Sequence, residues 1–426
     1  MKYIVIGNSA AGLFAVEEIR KHDTQSEIIV LTKDEEPSYS RCLTTYFLAG
    51  DIPDYRLYLR DSDFLQRLKL TIVYGVEIQR IDPENQRVQS TDGREWEYGK
   101  LLLAMGASAK KLSIKGGTLP EVFTLRNLQD ALRINEVIEG GAQKAVVIGG
   151  GLVSLKSAYA LKKRGLDVTA VISSPQILSQ MLNQKAAHII QKHLEAHGLK
   201  FLLNTSPEAI TGKDRVRGVL IPPDSALPAD LVIIGKGVKP NVGALNNPGF
   251  KIGRGLQVDA YMATSLPNIF AAGDIAETWD LVRREYTVNA TWPNAAAQGR
   301  IAGANMCGQR EPYPGSLSFN SVDFFGLAAM SVGITRIPAN EPHNHWSQDE
   351  SLSMIDGRPS YQCLIWQGNV LKGFTLVGET SQGGILTALL KAGRPFSHGE
   401  KVLARTKRGS LAVGQILNRK AGDNRT

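Results

Sequence analysis

Two glycine-bearing loops are the residues of this chain best suited to chemistry. Gly7-Asn8-Ser9-Ala10-Ala11-Gly12 follows an apolar run, KYIVI, and opens a stretch of helical period. The pattern is GxGxxG with serine at the middle glycine. Gly7 permits a tight turn, a small residue at Ser9 lets backbone approach a phosphate, and Gly12 lets strand and helix pack closely. A helix starting there offers free N–H groups and a positive dipole end to an anion. Gly149-Gly150-Gly151-Leu152-Val153-Ser154 repeats the arrangement after KAVVI. The chemistry implied is the binding of two dinucleotides.

The cysteines point away from other chemistries. Cys42, Cys307 and Cys363 form no CxxC or CxxxxC pair. A zinc site or an iron–sulfur cluster built by this chain alone is not expected, nor is a disulfide-stapled secreted fold. No metal ligand set is assigned.

The elements that must position the loops follow from hydrophobic period. Residues 2–7, 27–31, 101–107, 144–149, 167–172, 231–235 and 268–273 are short apolar runs of strand length. Residues 12–22 and 152–164 carry helical spacing, with Leu13, Val16 and Ile19 on one face of the first. Strand–turn–helix–strand therefore occurs twice, the opening of a dinucleotide-binding unit each time. From about residue 311 strands such as 361–366 and 370–377 alternate with turns, and 385–391 reads as a short helix. At 426 residues the chain is long enough for two or three domains.

Longer motifs carry a resemblance. PSYSRCLTTYFLAG (37–50), LLLAMGAS (101–108), ADLVIIGKGVKPN (229–241), NIFAAGDIAE (268–277) and WPNAAAQGRIAGANMCG (292–308) occur in this order. Over roughly residues 1–310 the chain resembles the FAD-dependent pyridine-nucleotide-disulfide oxidoreductases, in the branch of rubredoxin reductases, NADH oxidases and the flavin domain of assimilatory nitrite reductases. Met105 replaces that branch's threonine. The resemblance implies an α/β fold with two Rossmann-like domains, the second inserted in the first, and a C-terminal α+β domain. The expected division is 1–112 with 243–310 for FAD, 113–242 for NAD(P), 311–405 for a C-terminal interface domain, and a basic tail at 406–426.

Site residues follow from the same motifs. Gly7, Ser9, Ala10, Ala11 and Gly12 are expected around the FAD pyrophosphate, with Thr32 or Glu35 at the ribose and Lys33 beside them. The resemblance gives Asp274 the flavin's ribityl chain, where a carboxylate accepts a hydroxyl. Arg41 is assigned to the FAD phosphates, and Trp292 and Pro293 to the isoalloxazine ring. Val76, Ala104 and Gly106 are further FAD candidates. For the second site the candidates are Gly149, Gly151, Leu152, Ser154, Lys156, Ser173 and Gly237. Lys156 stands where the family has glutamate. Ile172-Ser173-Ser174 occupies the ribose-reading stretch with neither the acid of an NAD site nor the arginines of an NADP site. NAD(H) is the expected cofactor, and NADP is left open.

Three functions fit these readings. The leading one is an oxidoreductase carrying electrons between NAD(H) and an iron–sulfur protein or subunit through FAD. The second is a self-contained NADH oxidase, peroxidase or disulfide reductase with Cys42 as its catalytic thiol, since related enzymes carry a single redox cysteine near this position. The third is a flavin-bearing interaction subunit with a vestigial nicotinamide site. The net charge of +8 is concentrated at the C-terminal end, where residues 391–426 hold nine basic and two acidic side chains. Such an end either solvates the chain or meets an acidic partner. It lacks interleaved aromatics, so nucleic acid is not an expected partner. An oligomer or complex subunit is expected. Met1 leads straight into a strand and no apolar run reaches membrane-spanning length, which points to a cytoplasmic protein without a leader.

Overall fold

The structure is a computed structural model and describes residues 1–61, 63–223, 225–338 and 345–405. The tail 406–426 lies outside the described residues. The fold is α/β and divides into two compact units.

The first unit comprises Met1–Lys111, Thr124–Asn135 and Gly237–Ser316. Its centre is a five-stranded parallel sheet in the order Ile269–Ala271, Lys100–Leu103, Lys2–Ile6, Glu27–Leu31, Leu70–Val73. These strands are apolar along their length because both faces are covered; Ile4, Val5, Leu101, Leu102 and Leu103 have essentially no exposure. Helix Ala10–His22 lies against helix Trp292–Met306. Glycine permits that approach: a Cβ at Gly299 would stand 2.2 Å from the Ala11 carbonyl oxygen. The close approach places the N-termini of both helices at the same edge of the sheet as the Gly7 turn.

The second unit comprises Leu112–Phe123, Glu136–Lys236 and Leu317–Thr426. It holds a parallel sheet in the order Lys200–Leu202, Asp167–Val171, Lys144–Ile148, Leu231–Ile234, Val122–Phe123. Helix Leu152–Lys163 follows its glycine loop. It also holds an antiparallel sheet in the order Phe319–Phe324, Leu327–Gly333, Val370–Val377, Arg358–Gln367, Trp346–Ile355. Helix Gly383–Ala392 packs on one face of that sheet through Leu386 and Leu390. Residues 391–405 are not all free tail: helix His398–Ala404 starts with a Ser397/Glu400 capping box, Arg394 pairs with Glu400 at 2.7 Å, and Arg405 with Asp349 at 2.8 Å.

The compact units differ from the expected division in three places. Thr124–Asn135 and the stretch beginning at Gly237 belong to the first compact unit, and the C-terminal sheet shares a unit with the second parallel sheet.

Candidate dinucleotide sites

The first unit contains a cleft of about 730 Å³ at the carboxyl ends of its parallel strands, the usual ligand position of such sheets. Gly7 turns the chain at φ +117°, and a Cβ there would stand 2.1 Å from the Ala104 carbonyl oxygen. Only glycine fits. Gly12 is equally constrained, with a Cβ 1.9 Å from the Gly7 oxygen, but it does not line the cleft; its role is packing. Ser9 caps helix Ala10–His22, and its hydroxyl makes no capping bond, so it is available to a ligand. Ser9, Ala10, Ala11, Thr32, Lys33 and Arg41 line the cleft; so do Val76, Ala104, Gly106, Asp274 and Trp292. Glu35 and Pro293 are exposed and lie outside it. At the edge of the second strand Asp34, not Glu35, faces the cleft.

Two residues at the cleft were not anticipated. Asp34 pairs with Arg41 at 2.5 Å, and Arg41 also donates to the Arg126 carbonyl oxygen at 3.1 Å. Arg126 in turn donates from Nη2 to Asp274 Oδ2 at 2.7 Å and from Nε to the Ala107 carbonyl oxygen at 2.9 Å. No local signal marks Arg126, because its partner is 148 residues away in sequence. The pairing occupies one oxygen of Asp274 and leaves the carboxylate further lone pairs for a hydroxyl.

This donor set suits FAD. The start of helix Ala10–His22, Lys33 and Arg41 are the donors and cations a pyrophosphate needs. Val76, Met105 and Trp292 provide apolar wall. Asn8 supplies a further sign: Ser38 donates to its Oδ1 at 2.5 Å, while its buried Nδ2 has no acceptor among the described residues. A buried amide in that condition at a cleft wall marks an acceptor to be supplied from outside.

Cys42 lines the same cleft and is exposed to it. Although the side chain is open to the cleft, crowding by the cleft walls desolvates the thiol and raises its titration; the Asp274 carboxylate pushes the same way, against the pull of Arg126. The other thiols are elsewhere. Cys307 sits by the Tyr3 hydroxyl at 3.6 Å, and Cys363, in the second unit, is pushed up to about 11 chiefly by burial. Among the described residues no group of three or more His, Cys, Asp or Glu is disposed to hold a metal ion.

The second loop is built like the first. Gly149 has φ +129°, and a Cβ there would stand 2.3 Å from the Gly235 oxygen. Gly151 is the N-cap of helix Leu152–Lys163, with open space around it. Ser154 replaces glycine without obstruction, because it is buried and donates to the Gly235 oxygen at 3.0 Å. Leu152 is half-buried beside it. Ile172 is 1% exposed and packs under Gly150, whose Cβ would meet its Cγ2 at 2.7 Å. Ser173 is the exposed member of the stretch 172–174. Lys156 is 5% exposed; its Nζ donates to the Asp323 carbonyl oxygen at 3.2 Å and stands 4.2 Å from the Tyr159 ring. Gly237 falls in the first unit, where its carbonyl oxygen accepts from the Lys110 N–H at 2.9 Å.

Residues 1–299 match the family described as pyridine nucleotide-disulphide oxidoreductase.

The chain belongs to that family.

It is an FAD-dependent NAD(P)H oxidoreductase with NAD(H) as nicotinamide cofactor and NADP possible. The NADH oxidase of Methanocaldococcus jannaschii is 36% identical over 79% of this chain and 79% of its own length. The NADH-dependent phenylglyoxylate dehydrogenase subunit epsilon of Aromatoleum evansii is 31% identical over 91% of each chain. An NAD-dependent persulfide reductase from A. fulgidus has a TM-score of 0.87 at 27% identity, covering 99% of this chain and 84% of that one. No helix among the described residues is long and apolar enough to cross a membrane.

Proposed function

We propose that this family member exchanges electrons between NAD(H) and a one-electron protein partner, an iron–sulfur protein or subunit. The observation that carries the reading is that Cys42 lines the cleft without a second thiol, since Cys307 and Cys363 lie elsewhere, so the cleft offers no dithiol to exchange with a disulfide. Bound FAD supplies chemistry that side chains lack, taking two electrons as hydride and giving them up singly. The residues proposed to hold it are Gly7, Ser9, Ala10, Ala11, Thr32, Lys33, Arg41, Val76, Ala104, Gly106, Asp274 and Trp292, joined by Asp34 and Arg126. Lys33 and Arg41 meet the phosphates, Asp274 accepts a ribityl hydroxyl, and Arg126 fixes its carboxylate. The first unit is thus the FAD domain, the second parallel sheet the nicotinamide domain around Gly149, Gly151, Leu152, Ser154 and Ser173, and the antiparallel sheet the interface domain.

Support for a protein partner comes from the subunit epsilon likeness, which spans nearly the whole of both chains. The test is anaerobic reduction of the purified protein by NADH, followed by addition of a rubredoxin or a ferredoxin. Oxidation of the flavin by the carrier, and not by peroxide or a disulfide, is expected.

A second reading has its own observation. Cys42 is exposed within the same cleft as Asp274 and Trp292, where a self-contained oxidase, peroxidase or persulfide reductase would need its thiol. Rapid reoxidation by peroxide or a disulfide, abolished in Cys42→Ser, would select that reading.

A further inference from the structure

The antiparallel sheet of the second unit ends in a long edge. Strand Trp346–Ile355 pairs with Arg358–Gln367 in unbroken register, from Trp346 opposite Gln367 to Ile355 opposite Arg358. No strand among the described residues lies on its other side. The N–H and C=O of every second residue in such a strand point away from the sheet. Folded proteins blunt a long edge with lysine, proline, a bulge or a covering segment. The sequence WSQDESLSMI holds no lysine, arginine or proline, and its register holds no bulge.

Its side chains do not protect it either. Both acids are engaged within the fold. Asp349 accepts from Trp366 Nε1 at 3.0 Å and from Arg405 Nη2 at 2.8 Å; Glu350 accepts from the Tyr361 hydroxyl at 3.0 Å and pairs with Lys185. What faces water is apolar. Leu352 and Met354, on one face of the strand, are 66% exposed, and Ile355 is 46% exposed. An edge of this length and character pairs with another strand unless something covers it.

The place where helix His398–Ala404 hands on the chain selects the cover. Arg405, the residue after that helix, is held to Asp349 in the middle of the edge strand. The sequence then runs through the polar residues TKRGS (406–410) to Leu411-Ala412-Val413-Gly414-Gln415-Ile416-Leu417, followed by the polar NRKAGDNRT. Six residues from Arg405 to Leu411 reach up to about 20 Å, and the five strand residues from Asp349 to Met354 span about 17 Å. A tethered segment within reach acts at an effective concentration on the order of mM, above that of a free partner. We propose that strand Trp346–Ile355 is the docking site of segment 411–417 of the same chain. The segment runs back antiparallel along the edge as a sixth strand, bonded to its outward N–H and C=O groups, with Leu411 and Val413 beside Met354 and Leu352. The inference is independent of the electron-transfer function proposed above.

The experiment is amide hydrogen exchange read by mass spectrometry on the FAD-loaded full chain, on the chain truncated after Arg405, and on full-length Leu411→Asp/Val413→Asp. Peptides covering 346–355 should exchange about ten-fold or more slowly in wild type than in either variant, at every protein concentration tried, while the central strand Val370–Val377 is unchanged. Full-length Leu352→Asp/Met354→Asp should in turn speed exchange in peptides covering 411–417. If truncation also speeds exchange in Val370–Val377, the full-length variants decide alone. Equal exchange of 346–355 in wild type and in Leu411→Asp/Val413→Asp overturns the inference. Protection that falls on dilution, with a dimer dissociating in sedimentation, assigns the edge to a second copy of the chain and overturns docking within one chain.

Discussion

Arg126 Nη2 stands 2.7 Å from Asp274 Oδ2, joining the start of one helix to the turn after the last strand of the parallel sheet. The pair is partly buried and charge-assisted, so both members matter to whatever the cleft holds. Asp274→Ala should weaken FAD binding by about 1.5–3 kcal/mol, roughly ten- to a hundred-fold in Kd. Arg126→Ala should weaken it comparably, because Asp274 loses its orientation. FAD content after gel filtration and a fluorescence titration of the apoprotein check this. Full occupancy in both variants would remove the aspartate from the site.

Cys42 should behave as a protonated thiol. Burial and Asp274 both raise its titration, so at a given pH it holds less thiolate than a thiol in the unfolded chain. Alkylation by iodoacetamide at pH 7 should be slower than in the urea-unfolded protein, and should rise with pH beyond the ordinary thiol range. Cys42→Ser should keep NADH-dependent ferricyanide reduction nearly intact. Fast alkylation at neutral pH, or collapse of that activity with FAD still bound, would favour the thiol-based reading.

Nicotinamide discrimination should respond at Ser173 and not at Ile172. Ser173→Glu places an exposed carboxylate after the second strand of the inserted sheet, where it accepts ribose hydroxyls and repels a 2′-phosphate. The ratio of kcat/KM for NADH over NADPH should rise about ten-fold, a coupling of about 1.4 kcal/mol. Ile172→Glu buries an unpaired acid under Gly150 and should instead lower stability. An unchanged ratio in Ser173→Glu would move the ribose elsewhere.

Lys156 should matter to stability. Its ammonium is buried, bonded to the Asp323 carbonyl oxygen and set over Tyr159. Lys156→Glu reverses the charge toward that oxygen and should cost about 3–5 kcal/mol. Lys156→Met keeps the packing and should cost less. Urea midpoints order the two variants; equal midpoints to wild type in both would show that the contact contributes nothing.

The basic C-terminus divides at Arg405. Arg394, Lys401 and Arg405 are engaged within the fold, with Glu400, the Gly368 carbonyl oxygen and Asp349. Residues 406–426 carry five basic side chains and one acidic. Truncation after Arg405 should leave reduction by NADH unchanged and make transfer to an acidic carrier less salt-dependent, since screening shortens from ~10 Å at 0.1 M to ~3 Å at 1 M. Identical salt profiles would make the segment a solvating one.

What sequence alone determined is the local grammar. KYIVI before Gly7 and KAVVI before Gly149 announce buried strands, because strands of a parallel sheet covered on both faces are apolar on successive residues and a run this short ending at a glycine turn suits a strand. Gly7 and Gly149 announce turns of positive φ with backbone too close for a Cβ. Both features depend on residues adjacent in the chain, and so did Asp274, whose turn follows its strand directly. The loops, sheets and family were legible for that reason. Tertiary structure decided everything that depends on distance across the chain. Arg126 reaches Asp274 only because the sheet brings distant segments to one edge. Asp34, not Glu35, faces the cleft, and Ser173, not Ile172, faces outward, because a one-residue change at the end of a strand reverses the side a residue takes. Only packing shows the Lys156 ammonium against the Asp323 carbonyl oxygen.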